Sequence, residues 1–451
     1  MGNLDHENAA RPPKLPFALR AFRHRNYQLF FGGQLISLTG TWMQNVAQAW
    51  LVYRLTGSAV LLGLIGFSNQ IPVFLLATFG GSVADRFNRR YVIVATQTAA
   101  MLLALILAVL TLTGRIQVWH IFVLAAGLGV VNAFDIPTRQ AFVVDLVGRD
   151  DLINAIALNS SMFNGARMIG PAIAGVLVDA IGEGWCFFAN SVSYLAVIAG
   201  LLLMRMTIRT RVPVPGSALA SSIEGFRYVR RTQPIRALLL LLGLVSLVGM
   251  PYVVLMPIFA DQILHGGPQG LGILMGTVGV GALAGALMLA MKKSIRGLGH
   301  WIAVAATGFG VSLILFSLSR TFWLSAALLM PVGFSVMVEM ASSNTLIQSL
   351  VPDSLRGRVM AVYSMMFMGM APFGSLLAGV LAQRLGAPAT VAIGGVVCIA
   401  GAAVFALHLP HLRREARQII IALEAGGGEP AEEMTGEASV VAPLNGNHPG
   451  K

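Results

Sequence analysis

Charged residues are scarce in this sequence: Asp, Glu, Lys and Arg together make up 11% of its 451 residues. Soluble domains carry about 25%, so an ordinary water-facing globule is excluded. Lysine is rarer still. Of the 31 Lys and Arg only Lys14, Lys292, Lys293 and Lys451 are lysines. Cysteine is limited to Cys186 and Cys398, both in or beside apolar segments, which is too few for a disulfide framework or a thiolate metal site. The eight histidines show no metal-ligand spacing. No nucleophile triad, phosphate-binding glycine loop or nucleotide-binding segment occurs, so neither an enzyme nor a cofactor is expected. Nor is a cleavable signal peptide expected: residues 1–26 are polar and basic, and the apolar run behind them is long enough to remain as an anchor.

What the chain has instead is apolar length. Hydrophobic residues make up 56% of it, and the mean hydropathy is +0.75. A helix needs about 20 residues to cross about 30 Å of hydrocarbon, and twelve runs qualify as spans. They are 27–53, 61–84, 91–113, 119–137, 152–181 and 186–204, then 235–260, 270–291, 301–318, 322–345, 359–382 and 387–409. The expected fold is an all-α integral membrane protein with twelve transmembrane helices in two pseudo-symmetric six-helix bundles, residues 27–204 and 235–409. Between the bundles lies a basic linker, residues 205–234, whose stretch 222–232 has helical spacing and a basic face suited to the membrane surface. Residues 1–26 form an N-terminal segment. The tail, 410–451, is expected to be disordered where Gly, Glu, Pro and Asn accumulate after Arg417.

The net charge of +12 invites a nucleic-acid reading, but the placement of the charge answers it. With the N-terminus in the cytoplasm, 26 of the 31 Lys and Arg fall on the cytoplasmic side. Only Arg54, Arg115, Arg320 and Arg384 fall opposite, and Arg167 lies within the fifth run. This is the positive-inside asymmetry of a multi-pass inner-membrane protein with both termini cytoplasmic. No nucleic-acid partner is needed; the expected surroundings are the lipid bilayer, and the expected state is a monomer.

Between the second and third runs stands Gly81-Ser-Val-Ala-Asp85-Arg86-Phe-Asn-Arg89-Arg90, a tight positive turn between antiparallel neighbours. The fifth run carries Asn164-Gly165-Ala-Arg167-Met-Ile-Gly170-Pro171-Ala-Ile-Ala-Gly175. Both resemble motifs of the major facilitator superfamily of transporters. The first is similar to its loop between helices 2 and 3, with Asn88 in place of a glycine. The second is similar to the antiporter motif of its exporters, with Ala174 in place of a glycine. The segments 22–27, 52–58 and 225–231 resemble the bacterial exporter branch that includes enterobactin exporters and macrolide-efflux proteins.

Several residue roles follow. Gly81 would let helix 2 approach a neighbour closely. Asp85 could accept from the free N–H groups of a helix start. The resemblance places that start on helix 11 near 357–359, and it sends the arginines to an acid of helix 4, Asp135. Together these contacts would latch the halves; the plainer reading is a loop that only sets topology. Arg167, four residues before Pro171, is too deep to snorkel easily and would hold an anionic substrate group or pair with Asp135. Asp135 and Glu339, which a shift of 204 residues overlays, are candidates for proton or substrate coupling, because a carboxyl group in low dielectric can exchange its proton near neutral pH. Structural pairing is the alternative for each.

Gln34, Thr41, Asn45 and Gln48 fall on one helical face that would line a cavity, joined by Asn132 and Asn164. Interhelical hydrogen bonding is the alternative. Met366 and Met370 would offer an adaptable apolar surface or else face lipid. The resemblance implies secondary active export of small amphipathic molecules, of the drug or siderophore class, by alternating access and proton antiport. An importer or symporter of the same fold and a non-transporting membrane scaffold are the rival readings.

Overall fold

A computed structural model describes residues 17–148, 150–205, 218–291 and 297–425, and these contain helices and no strand. After a 3-10 turn at Phe17–Arg23 come α1 (Arg25–Thr56), α2 (Ala59–Arg86), α3 (Arg89–Leu112), α4 (Val118–Val147), α5 (Leu152–Ile181) and α6 (Glu183–Leu203). The linker helix α7 (Ala218–Arg231) leads to α8 (Gln233–Leu244) and α9 (Tyr252–Ile258). Next are α10 (Gly267–Ala290), α11 (Leu298–Leu318), α12 (Phe322–Ser349), α13 (Asp353–Leu385) and α14 (Ala387–Ala425). Helices α8 and α9 belong to one span, Gln233–Ile263, interrupted by π-helical turns at Val245–Gly249 and Phe259–Ile263.

Eleven helices of the described residues are long and apolar enough to cross a membrane, one fewer than expected. The exception is α1. Its 32 residues are ample in length, but Gln34, Gln44 and Gln48 are buried on it, and it is less apolar than its neighbours. It packs on α5 and α6 inside the first half.

The halves repeat one packing plan. In the first, α2 packs on α4 and α3 on α6; in the second, α10 packs on α12 and α11 on α14. Across the divide, α5 meets α10 and α13 meets α2, a swapped pair that a pseudo-two-fold axis generates. Small residues make the contacts close. A side chain on Gly129 of α4 would run into the Asn69 carbonyl of α2, and one on Gly333 of α12 into the Val278 carbonyl of α10. These glycines are also 204 residues apart, as are Asp135 and Glu339.

Local signals set most helix ends. Gly57, at φ 60°, closes α1, and the Ser58 side chain accepts from Leu61 N to start α2. Two helices run past their expected ends. α4 continues through Pro137 to Val147 because Phe142, Val143, Leu146 and Val147 are buried with Tyr27, Phe30 and Ile93. The carbonyl that Pro137 deprives of its helical donor, that of Ala133, lies against Gly80, which has no side chain to collide with it. α14 continues through Pro410 to Ala425, since Leu409, Leu412 and Ile419 extend its buried stripe. The expected boundary at 410 is therefore a turn inside a helix. The first 16 residues, Lys292–Arg296 and the tail after 425 lie outside the described residues.

The linker helix does not stand alone. Glu224 pairs with Arg358 of α13, Gly225 abuts the Arg358 carbonyl, and the Tyr228 hydroxyl donates to the Leu350 carbonyl at 3.2 Å. Cys186 and Cys398 are buried and unbridged, as small packing residues.

Candidate functional site: a cleft between the halves

The end of the molecule carrying the 81–90 turn is here called the basic end, and the other the far end. At the far end the halves are closed together. Gly63 sits on the Ser375 carbonyl and Gly379, Gly379 on the Ala59 carbonyl, and Gly175 on Gly272 and the Gln269 carbonyl. The Tyr53 hydroxyl donates to Asp261 Oδ2 at 2.7 Å, joining α1 to the second half. Arg54 is taken up within the first half by Glu183 at 2.7 Å.

Toward the basic end the same helices part. The Asp85 side chain is 73% exposed and, among the described residues, its one ion pair is within its own turn, with Arg89 Nη2 at 3.6 Å. Gly81, Gly165 and Gly357 have open space where a side chain would project. Asp85 is thus not on the start of α13, and the expected latch is not made in this conformation. The close approach belongs to Gly80 instead. That neighbour, about 100° round the helix, faces α4, whereas Gly81 faces the opening.

The arginines of the turn also find other partners than expected. Arg89 donates to the Ala84 and Ala141 carbonyls, at 3.1 and 2.7 Å, and to Asp145 at 3.1 Å. Arg90 donates to the Leu202 carbonyl at 2.9 Å. Neither reaches Asp135: the acid of helix 4 that Arg89 holds is Asp145, at the helix end, where a loop side chain can reach it. Arg86 is exposed. Asn88 starts α3 in an extended conformation, φ −66° and ψ 111°, its side chain accepting from Arg90 N at 3.1 Å. A glycine is not required there.

Asp135 is buried with both carboxylate oxygens partnered, although Gln97 Oε1 and Gln34 Nε2 beside them have no hydrogen-bond partner among the described residues. Its Oδ1 accepts from Thr96 at 2.8 Å and Gln97 at 2.9 Å, and its Oδ2 pairs with Arg139 at 3.2 Å. Arg139 in turn donates to Gln34 Oε1 at 2.8 Å. The network ties α1, α3 and α4. Glu339, its counterpart, is equally buried, yet its Oε1 and the hydroxyls of Ser342 and Ser343 on the same α12 face have no hydrogen-bond partner among the described residues. Tyr363 of α13 and Cys398 of α14 are within its electrostatic reach.

Arg167 pairs with neither acid. Its guanidinium lies over the Trp42 ring of α1, 5.8 Å from the centroid. Phe163, one turn before Arg167, meets the Trp42 ring edge-on, with centroids 5.6 Å apart. Gly170 packs on the Trp42 Cβ, and the Pro171 carbonyl abuts Gly272. The helix 5 motif therefore divides: Gly170 faces α1, Pro171 and Gly175 face α10, and Gly165 faces the opening.

The polar stripe of α1 is partly absorbed. Gln34 is held by Arg139, and Thr41 donates to the Ser37 carbonyl and lies 3.4 Å from the Tyr194 hydroxyl. Gln48 is buried, while Asn45 is exposed. Asn132 is half-buried, and Asn164 is buried and donates to the Ser160 carbonyl at 2.9 Å. Met366 and Met370 pack toward Gly243 of α8, inside the second half. A cavity of about 800 Å³ lies apart from the cleft, between α8, α11, α12 and α14, lined by Leu238, Leu346, Leu412 and Arg417 among others.

Reading the sequence missed Trp42, Thr96, Gln97, Tyr53 and Asp261. The Asp135–Arg139 pair was accessible to it, because residues four apart share a helix face.

Two equivalent helical halves around a cleft, with glycine contacts closing one end, define a membrane transporter of the major facilitator fold. The chain belongs to the transmembrane secretion effector family of that superfamily, whose model matches residues 16–424. It is 26% identical to a staphyloferrin A transporter of Staphylococcus aureus over 82% of this chain and 93% of that protein. It is likewise 26% identical to the multidrug efflux pump Tap of Mycolicibacterium fortuitum, over 83% of this chain and 93% of that one. A POT family transporter crystallised with 5-aminolevulinic acid shares the fold, with a TM-score of 0.74 at 12% identity, over 86% of this chain and 97% of that one. The chain is a multi-pass secondary transporter of the small-molecule export class.

Proposed function

We propose that this protein exports small amphipathic molecules, of the drug or siderophore class, across the bacterial inner membrane by alternating access and proton antiport. One observation carries the reading: the halves are closed at the far end and parted at the basic end. The positive-inside rule puts the basic end in the cytoplasm, with both termini. The cleft then admits cargo from the cytoplasm, and export requires breaking Tyr53–Asp261 and the glycine contacts while Asp85 finds its partner on the other half. α1 serves as the twelfth span, shielded from lipid on its polar face by α4, α5 and α6.

Glu339 is the coupling carboxylate on this reading. An ionised carboxylate buried without a partner is costly, and taking up a proton removes that cost. Asp135, already partnered, is structural. The proton gradient supplies the energy, at about 2.3 kcal/mol per charge per 100 mV. No cofactor, catalytic step, nucleic acid or second subunit is involved.

The test is uptake into everted membrane vesicles under an imposed pH gradient, with a siderophore, a macrolide and a dye as cargo. Accumulation that a protonophore abolishes and Asp85→Asn impairs is the expected result. If no cargo moves with the gradient, and Asp85→Asn changes nothing, the reading fails.

A further inference from the structure

The charges built into the spanning helices do not cancel where cargo would sit. Asp135 is matched by Arg139 within the first half. Glu339 is buried inside the second half, within reach of Tyr363 and Cys398 rather than of α5. Asp85 is out at the basic end. That leaves Arg167, which forms no ion pair among the described residues and has Tyr252 of α9, a phenol, as the ionisable group of the other half within electrostatic reach.

Its position adds to the case. Met168, the next residue, packs on Gly279, and from there toward the far end α5 is closed against α10. Arg167 thus stands where the parted region ends, on the side of α5 between its α1 and α10 contacts. Its aromatic neighbour Trp42 is fixed by Phe163 and Gly170. A guanidinium over an indole face keeps its in-plane N–H donors free, and a carboxylate is the group whose two oxygens match that fork. An unmatched intramembrane arginine is expensive to keep unless something completes it.

We propose that the cargo is an anion, and that it places a carboxylate on Arg167 at the blind end of the cleft, its apolar body against Trp42. This rests on the export reading above and narrows its cargo class. A cation, the other common cargo charge of efflux pumps, would meet like charge there.

The test uses two probe dyes of opposite charge, carboxyfluorescein and ethidium, with the full-length protein. Accumulation in everted vesicles and binding to purified protein in nanodiscs are both read. Carboxyfluorescein should bind and accumulate, Arg167→Gln should weaken its binding roughly tenfold to a hundredfold, and Arg167→Lys should recover part of that loss. Thermal unfolding checks that Arg167→Gln remains folded, and a merely structural arginine would leave Arg167→Lys as impaired as Arg167→Gln. Accumulation of ethidium without carboxyfluorescein overturns the anion assignment and leaves export standing. Carboxyfluorescein binding that depends on Arg167, without gradient-driven movement, supports the anion site and counts against export instead. Undiminished carboxyfluorescein binding by Arg167→Gln, or no binding of it by the parent protein, overturns the assignment.

Discussion

Asp135 and Glu339 occupy matching places in the two halves and live in opposite chemical surroundings. Each is about 2% exposed, and each lies six residues beyond a glycine that seats its helix on a neighbour, Gly129 in one half and Gly333 in the other. Asp135 has Thr96, Gln97 and Arg139 around it. Glu339 has an oxygen, and beside it two serine hydroxyls, without a partner among the described residues. The shared backbone plan repeats the position but leaves its chemistry free to diverge. A matched acid holds helices together; an unmatched one is available to exchange something. On the function proposed above, the first half would supply the frame and the second the coupling.

Mutations at the two positions should therefore fail in different ways. The largest effect on stability is expected from Asp135→Asn, which leaves half-buried Arg139 without its charged partner and with Gln34 alone. Breaking one side of a buried pair costs about 3–5 kcal/mol, read as a lower unfolding temperature in detergent. Adding Arg139→Gln should return part of that loss, because the stranded charge is gone; no recovery would mean that the pair is not the network's main contact. Glu339→Gln should change stability by less than about 1 kcal/mol, since no partner loses its bond, yet abolish gradient-driven transport. A large stability loss there would erase the contrast between the halves. The mildest effect on transport is expected from Tyr53→Phe, which removes one inter-half hydrogen bond worth about 1 kcal/mol. It should shift the population several-fold toward far-end opening, detectable by spin-label distances after Cys186 and Cys398 are replaced.

Much of this architecture was legible in the sequence, for reasons that can be named. Apolar length and the basic turn yield eleven of the spans and their order, because the bilayer imposes them on single segments. Helix ends were less legible: Pro137 and Pro410 read as stops, but buried side chains beyond them carry the helices on. Gly81 drew attention through its motif, whereas Gly80 makes the contact. Only the rotation of α2 against α4 decides between them. Arg167 and Glu339 stood out by depth and apolar surroundings. Tyr53 and Asp261, 208 residues apart, carried no signal, because their meeting depends on how the halves lean together. Arg89 shows the same limit, since its choice of Asp145 over Asp135 follows from how far α4 extends.

The central claim, that the second half's acid couples transport to protons, is tested most directly by comparing two modes of transport in proteoliposomes. Cargo-for-cargo exchange needs the cleft to alternate but needs no proton; accumulation against a gradient needs both. Glu339→Gln should keep exchange near the parent rate and lose pH-driven accumulation. Retained pH-driven accumulation in Glu339→Gln would contradict the account, as would the same split appearing in folded Asp135→Asn instead.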